Sequence, residues 1–199
     1  MVLPGAQLFP NAPLPLYIFE PRYRAMLAWA LDQDRMFCIA SMKPGISEAR
    51  TADDFHHIVG LGLVRACVGR EDGTSHLVLQ GLARMRITGF LQEKPFRIAE
   101  LRELPSQPAP AAENERLVAR LLKTCTHIFA GHGKAPESLE QQLEQIDDPA
   151  VLSDLIAYTC LDSAEVRQAV FEELDVIKRV ALLIEHLRAE GSGRDGGEA

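Results

Sequence analysis

Along residues 13–31 the apolar pattern changes period, from the alternation of a strand to the three-to-four spacing of a helix. Leu14, Leu16 and Ile18 alternate with Pro15, Tyr17 and Phe19, which sends apolar side chains to both faces. Pro21 then takes the first helical position, where its fixed φ suits the helix and its missing N–H would have had no partner. Tyr23, Met26, Leu27, Ala30 and Leu31 follow as one stripe, with Arg22, Arg24 and Asp32 off it. Residues 36–41 read as a short strand ended by Lys43-Pro44-Gly45, and residues 46–57, polar and aperiodic, as a surface loop. Residues 58–69 predict a long strand in which Gly60 and Gly62 mark a bulge or a close backbone approach. Asp72-Gly73 predicts a type I′ hairpin. The return strand covers 75–80 and is broken by Gly81; further strands cover 83–90 and 96–103. Short uneven strands with one early helix fit a small closed or half-closed barrel.

Three prolines in residues 104–112 (LPSQPAPAA) stop any helix from running through and mark a boundary. Beyond it every period is helical. Residues 113–130 carry Leu117, Leu121, Cys125 and Ile128 on one face and end at Gly131, and residues 137–146 form a short acidic helix. Asp148 and Pro149 open the next, with Leu152, Leu155, Ile156 and Thr159 inward. Asp162 and Glu165 resemble a capping box for a helix ending at Glu173. Asp175 caps the last, 176–190, whose stripe is Val176, Ile177, Val180, Leu183, Ile184 and Leu187, and Gly191 stops it. The expected organisation is α+β: a barrel domain over 1–104, a proline-rich linker over 105–112, a helical bundle over 113–190 and a disordered tail over 191–199.

Composition narrows the function. A chain of 199 residues, 47% hydrophobic, can bury a real core. No signal peptide is visible, and no apolar run approaches the roughly 20 residues of a membrane span. Cys38, Cys67, Cys125 and Cys160 are far apart with no CxxC pair, so they read as small buried hydrophobes of a reducing cytoplasm. Residues 1–104 carry a net charge of +1 and residues 105–199 one of −8, a balance that argues against nucleic acid as the partner.

The wording of the first corner is specific. L-P-L-x-I-F-E-P-R-Y-R, carried by Leu14, Pro15, Leu16, Ile18, Phe19, Glu20, Pro21, Arg22, Tyr23 and Arg24, resembles the signature of the Lon-protease N-terminal, substrate-binding domain family. Tyr17 stands where that family often has His, and Phe9-Pro10-Asn11 where it usually reads F-P-G. Residues 59–67 (VGLGLVRAC) and 77–87 (LVLQGLARMRI) are similar to later blocks of the family, as is D-P-x-x-L-x-D-x-I-A at Asp148, Pro149, Leu152, Asp154, Ile156 and Ala157. The resemblance implies a PUA-like β-barrel followed by helices, and a stand-alone module that captures unfolded or flexible polypeptide without ATPase or protease domains. Its partners would be such polypeptides together with a protease or a chaperone.

Catalytic constellations are not legible. The nearest approach to a phosphate-binding loop, Gly131-His132-Gly133-Lys134, is followed by Ala135-Pro136 and reads as a helix end. The adjacent His56 and His57 would point to opposite faces of a strand and cannot share a metal there. No enzyme activity, cofactor or metal is therefore expected. The expected site is a groove with apolar walls between barrel and bundle, where strand addition could also serve. Its candidate residues are Phe9, Tyr17, Phe19, Arg22, Arg24 and Trp29. The competing structural reading has Glu20 cap the helix, an arginine brace the corner, and Trp29 sit at the core rim. An alternative function is RNA or nucleotide binding by a PUA-like barrel, for which Arg84, Arg86, Arg97 and Arg102 would have to share a face.

Overall fold

Alternating residues of the first hundred positions build six strands and one helix: β1 (Val2–Leu3), β2 (Pro13–Ile18), α1 (Pro21–Asp32), β3 (Met36–Ser41), β4 (Ile58–Gly69), β5 (Ser75–Gln92) and β6 (Ile98–Glu103). The structure is a computed structural model and describes residues 1–131 and 137–194. Two compact units result, Met1–Pro105 and a second beginning at Ser106. In the first, the strand order is β1-β3-β4-β5-β2, with β6 also on β5. Strand β5 is long enough to serve two partners besides β4, its first six residues pairing β2 and residues 85–92 pairing β6. The inward positions Leu77, Leu79, Val64 and Ile18 meet Tyr23, Met26, Leu27 and Ala30 of α1 in one core cluster.

Three local expectations are corrected. Gly81 does not break the strand: β5 runs through it with a register shift, because the segment before β2 crosses the sheet there. Asn11 N–H donates to the Gly81 carbonyl and Gly81 N–H to the Ala12 carbonyl, both at 2.9 Å. The β4–β5 turn is not type I′, which needs positive φ at both central residues. Only Gly73 has positive φ, +78°, and Gly73 N–H bonds the Arg70 carbonyl at 2.9 Å. Finally, the polar loop 46–57 is anchored inward by Phe55 and Ala49, 1% and 8% exposed, in a second cluster with Ala40, Val59 and Ile87. An Asp54 carboxylate that accepts from Thr51 and Arg50 N–H groups, at 2.6 and 2.8 Å, shapes this loop and holds its own pKa down.

The corner after β2 is clamped from the N-terminal strand. Tyr23 donates its hydroxyl to the Val2 carbonyl at 2.8 Å and accepts from Val2 N–H at 3.2 Å. Burial pushes the Tyr23 pKa above 10, so the neutral phenol is the form that stabilises the fold. That contribution is complete below the unfolded tyrosine value and is lost as pH rises through the raised folded value. Tyr23→Phe is expected to lower stability by about 1 kcal/mol at neutral pH. It should also flatten the alkaline limb of a denaturation profile measured from pH 8 to 11.

The second unit holds α2 (Ala111–Gly131), α3 (Glu137–Glu144), α4 (Pro149–Cys160), α5 (Ala164–Glu172) and α6 (Val176–Arg194). Helix α2 starts two residues earlier than expected, so Ala111 and Ala112 are not linker. Asp148 caps α4 through Ala150 N–H at 2.8 Å, and Asp175 caps α6 through Ile177 and Lys178 N–H at 3.0 and 3.1 Å. The cap of α5 is Ser163, not Asp162. Thr159 and Ile177 are exposed rather than inward, and α6 continues through Gly191 to Arg194. The expected helix end and loop-like motif around 132–134 and the tail beyond 194 lie outside the described residues. Arg179 of α6 is wholly buried and paired to Asp154 at 3.0 Å.

Candidate functional site

Because Leu14, Leu16 and Ile18 turn inward, the other face of β2 presents Pro13, Pro15 and Tyr17 outward. Strand register extends that face across three strands. Pro15 lies opposite Val78, which lies opposite Ala66; Tyr17 lies opposite His76, which lies opposite Val68. The Tyr17 ring stacks on His76 at 4.7 Å and on Phe19 at 5.6 Å between centroids. Phe19 and Val68 are 57% and 67% exposed, Tyr17 and Val78 44% and 37%. Isolated exposed apolar residues are ordinary, but a contiguous cross-strand stripe marks an interaction surface. Aromatic rings suit such a surface, since they offer large contact area with few rotamers to freeze.

The rim of the stripe is fixed by the hairpin turn. Asp72 accepts from Thr74 N–H at 2.9 Å and its hydroxyl at 2.7 Å, bonds that hold its pKa below the usual carboxylate range. The Arg24 guanidinium packs against Gly73, occupying the space a Cβ there would fill. Arg24 is thus an exposed group leaning on the turn.

The six expected site residues separate. Tyr17 and Phe19 lie together on the stripe. Phe9 is 0% exposed, so its expected place on a groove wall is corrected: it packs inside the sheet with its carbonyl against Gly81. Arg22 pairs with Glu20 at 2.8 Å and lies 4.6 Å over the Tyr23 ring. Glu20 stands at the cap position but makes no side-chain cap; its carbonyl takes Tyr23 and Arg24 N–H instead. Trp29 is half-exposed and tilted against Phe96, 6.0 Å away. His76, Val78, Ala66 and Val68 were missed, although carrying the alternation of β2 across the Asp72-Gly73 hairpin would have pointed to them.

The arginines that the alternative RNA reading requires on one face are not gathered there. Arg84 is buried, Arg86 faces Arg102 across β5 and β6, and Arg97 turns to the carbonyls of Ala49 and Arg50. Among the described residues no group of three or more His, Cys, Asp or Glu is placed to hold a metal, and His57 Nε2 lies 2.9 Å from the Ala52 carbonyl. The four cysteines are free; burial pushes the Cys38 thiol up to about 11, and a hydrogen bond with Cys160 together with burial raises that of Cys125. No described helix is long and apolar enough to cross a membrane.

A curled β-unit with an exposed aromatic stripe, followed by a helical unit, is thus the class defined by fold and surface. The chain belongs to the family of ATP-dependent protease La (LON) substrate-binding domains, whose model matches residues 1–189. It is 25% identical over 190 residues to a Lon protease of Desulfosudis oleivorans, covering 94% of this chain and 23% of that one. A Lon protease of Geobacter metallireducens is 27% identical, covering 92% and 22%. The chain therefore spans less than a quarter of the length of these relatives. Among solved structures, the N-terminal domain of a Mycobacterium avium complex Lon protease superposes with a TM-score of 0.74 at 19% identity, covering 94% of this chain and 96% of that one. A Lon N-terminal domain protein from Xanthomonas campestris gives 0.65 at 16%, covering 92% and 95%. These likenesses carry the fold, and the α+β expectation holds.

Proposed function

We propose that this chain is a non-catalytic module that captures unfolded or flexible polypeptide in the cytoplasm, through the stripe formed by Tyr17, Phe19, His76, Val78 and Val68. The observation that carries the reading is the stacked, exposed Tyr17–Phe19–His76 row on a chain of the LON substrate-binding family. Folded proteins bury their aromatic and aliphatic side chains, whereas an unfolded segment offers them, so an apolar stripe selects for lack of structure. Recognition works through side chains more than through strand addition. Although β2 ends the strand order, Pro13 and Pro15 supply no N–H to a strand laid against it. In the cell such a module serves a protease or chaperone as an adaptor that presents clients.

The test compares wild type with a Tyr17→Ser, Phe19→Ser double variant in titrations against a labelled, permanently unfolded polypeptide. Both residues are exposed, so the melting temperature should stay within about 2 °C while affinity falls by about tenfold or more. Unchanged affinity in a folded variant would remove the stripe from the account.

A further inference from the structure

The geometry points to a second site in the first unit, for the free C-terminal end of a polypeptide whose last residue is apolar; it deepens, and rests on, the polypeptide reading. Two cavities adjoin there, of about 700 and 230 Å³, sharing Met26, Phe96 and Arg97 among their walls. The larger is bordered by Arg22, Arg50, Lys94 and Arg97 against a single carboxylate, Glu93, in a chain of net charge −7. The smaller is walled by Phe37, Phe55, Ile87, Phe90 and Trp29. A cationic mouth thus opens beside an apolar chamber.

The cations are not equivalent. Arg22 is matched by Glu20 at 2.8 Å and Arg50 by Glu48 at 2.9 Å. Arg97 donates to neutral carbonyls, to Arg50 at 2.8 Å and Ala49 at 3.4 Å, and lies 5.3 Å over the Phe55 ring. It is therefore held in place through neutral acceptors, its charge felt by the Asp54 carboxylate, whose pKa it helps to lower. Lys94 makes no ion pair among the described residues. One fixed guanidinium and one flexible ammonium suit a carboxylate, which accepts charge-assisted bonds from both. The chamber exceeds the roughly 150 Å³ at which an apolar cavity admits a benzene-sized group, so it accommodates one large side chain.

Joined charged and apolar spaces correspond to one feature of a polypeptide end. The terminal carboxylate and the last side chain hang from the same Cα, so both can be satisfied at once. An amidated end loses the first contact and a polar last residue the second. An internal Asp or Glu beside an apolar residue separates the two groups by further bonds and fits less well. The site needs no structure in the client, in keeping with capture of unfolded chains.

Trp29 is the chain's single tryptophan and walls the chamber, so its emission reports occupancy. The intact protein is titrated with a ten-residue peptide ending in Leu with a free carboxylate, its C-terminal amide, and a version ending in Ser. Saturable change in Trp29 emission is expected with the first, and binding weaker by about tenfold or more with the other two. Lys94→Gln, at an exposed position, should weaken the acid and leave the amide unchanged; Arg97→Gln should do so more strongly. Equal affinity for acid and amide, insensitivity to Lys94→Gln, or preference for a peptide with an internal acidic residue and an amidated end would overturn the assignment. A C-terminally amidated unfolded polypeptide separates this idea from the stripe. If it binds and loses affinity in the Tyr17→Ser, Phe19→Ser variant while the three peptides bind alike, the end-recognition site falls and the proposed function stands. If the peptides are discriminated but that polypeptide ignores the stripe variant, the stripe falls and the end site stands.

Discussion

Arg179→Met is expected to lower the stability of the helical unit by about 3–5 kcal/mol, the range for removing one partner of a buried ion pair. Arg179 has no exposed surface and Asp154 is 2% exposed. The guanidinium donates to Asp154 Oδ1 at 3.0 Å, to the Glu173 carbonyl at 2.8 Å and to Ser106 Oγ at 2.7 Å. It thereby ties the start of the unit, α4 and the turn before α6 to one charge. Methionine fills much of the volume but leaves the Asp154 carboxylate buried without its cation, and the Glu173 and Leu174 carbonyls and the Ser106 hydroxyl lose a donor. For a unit of this size the loss corresponds to a fall in melting temperature of about 10 °C or more, read by circular dichroism at 222 nm. The double replacement Arg179→Met, Asp154→Leu should be milder than Arg179→Met alone, because no charge is then stranded. A single variant that melts within about 2 °C of wild type would show that the pair does not hold the unit together.

Gly81→Ala should be nearly as damaging to the first unit, although it adds one methyl group. A Cβ at 81 would collide with the carbonyl of Phe9 and approach the backbone of Pro10, and a Cβ at 60 would collide with the carbonyl of Leu8. These are backbone atoms of the segment that crosses the sheet, tied at Gly81 by two hydrogen bonds, so neither side can give way by changing rotamer. Overpacking a core costs about 1–3 kcal/mol when side chains can adjust; against fixed backbone the expectation is the upper end of that range or beyond. The control is Gly69→Ala, where the nearest atom to a new Cβ is the Ser75 hydroxyl at 4.0 Å. Urea midpoints of the three proteins check this: Gly81→Ala far below wild type, Gly69→Ala close to it. Equal midpoints for the two variants would refute the crossing geometry.

The same two features show what was legible in the chain. Gly60 and Gly62 inside an apolar run announce a close approach, and the structure supplies its source in Leu8. Gly81 announces the same thing, but local turn chemistry reads a glycine between two runs as a break, and only the non-local segment 8–12 makes it a bulge. Elements governed by local forces were readable: the strand-to-helix corner at Pro21, the span of β4, and the caps Asp148 and Asp175. Elements decided by partners far along the chain were not. Phe9 lies in an aperiodic segment and Phe55 among polar neighbours in sequence, yet both are core residues, and Arg179 enters the core for Asp154, 25 positions away. For the surface, Tyr17 and Phe19 followed from alternation in β2, while His76 and Val68 needed the register of β5 and β4. The arginines around the larger cavity come from α1 and loops without periodicity, so no pattern joined them.

The central claim is that binding runs through apolar contact with unfolded polypeptide, and its most direct test is salt dependence. Equilibrium anisotropy is measured for a labelled, permanently unfolded polypeptide and a labelled single-stranded RNA, each at roughly 50 and 200 mM salt. Screening acts on charge and leaves apolar burial nearly untouched. The prediction is micromolar polypeptide binding that changes by less than about threefold between the two conditions, with RNA bound more weakly at both. No polypeptide binding, or RNA binding that is tighter and collapses by about a thousandfold at the higher salt, would contradict it.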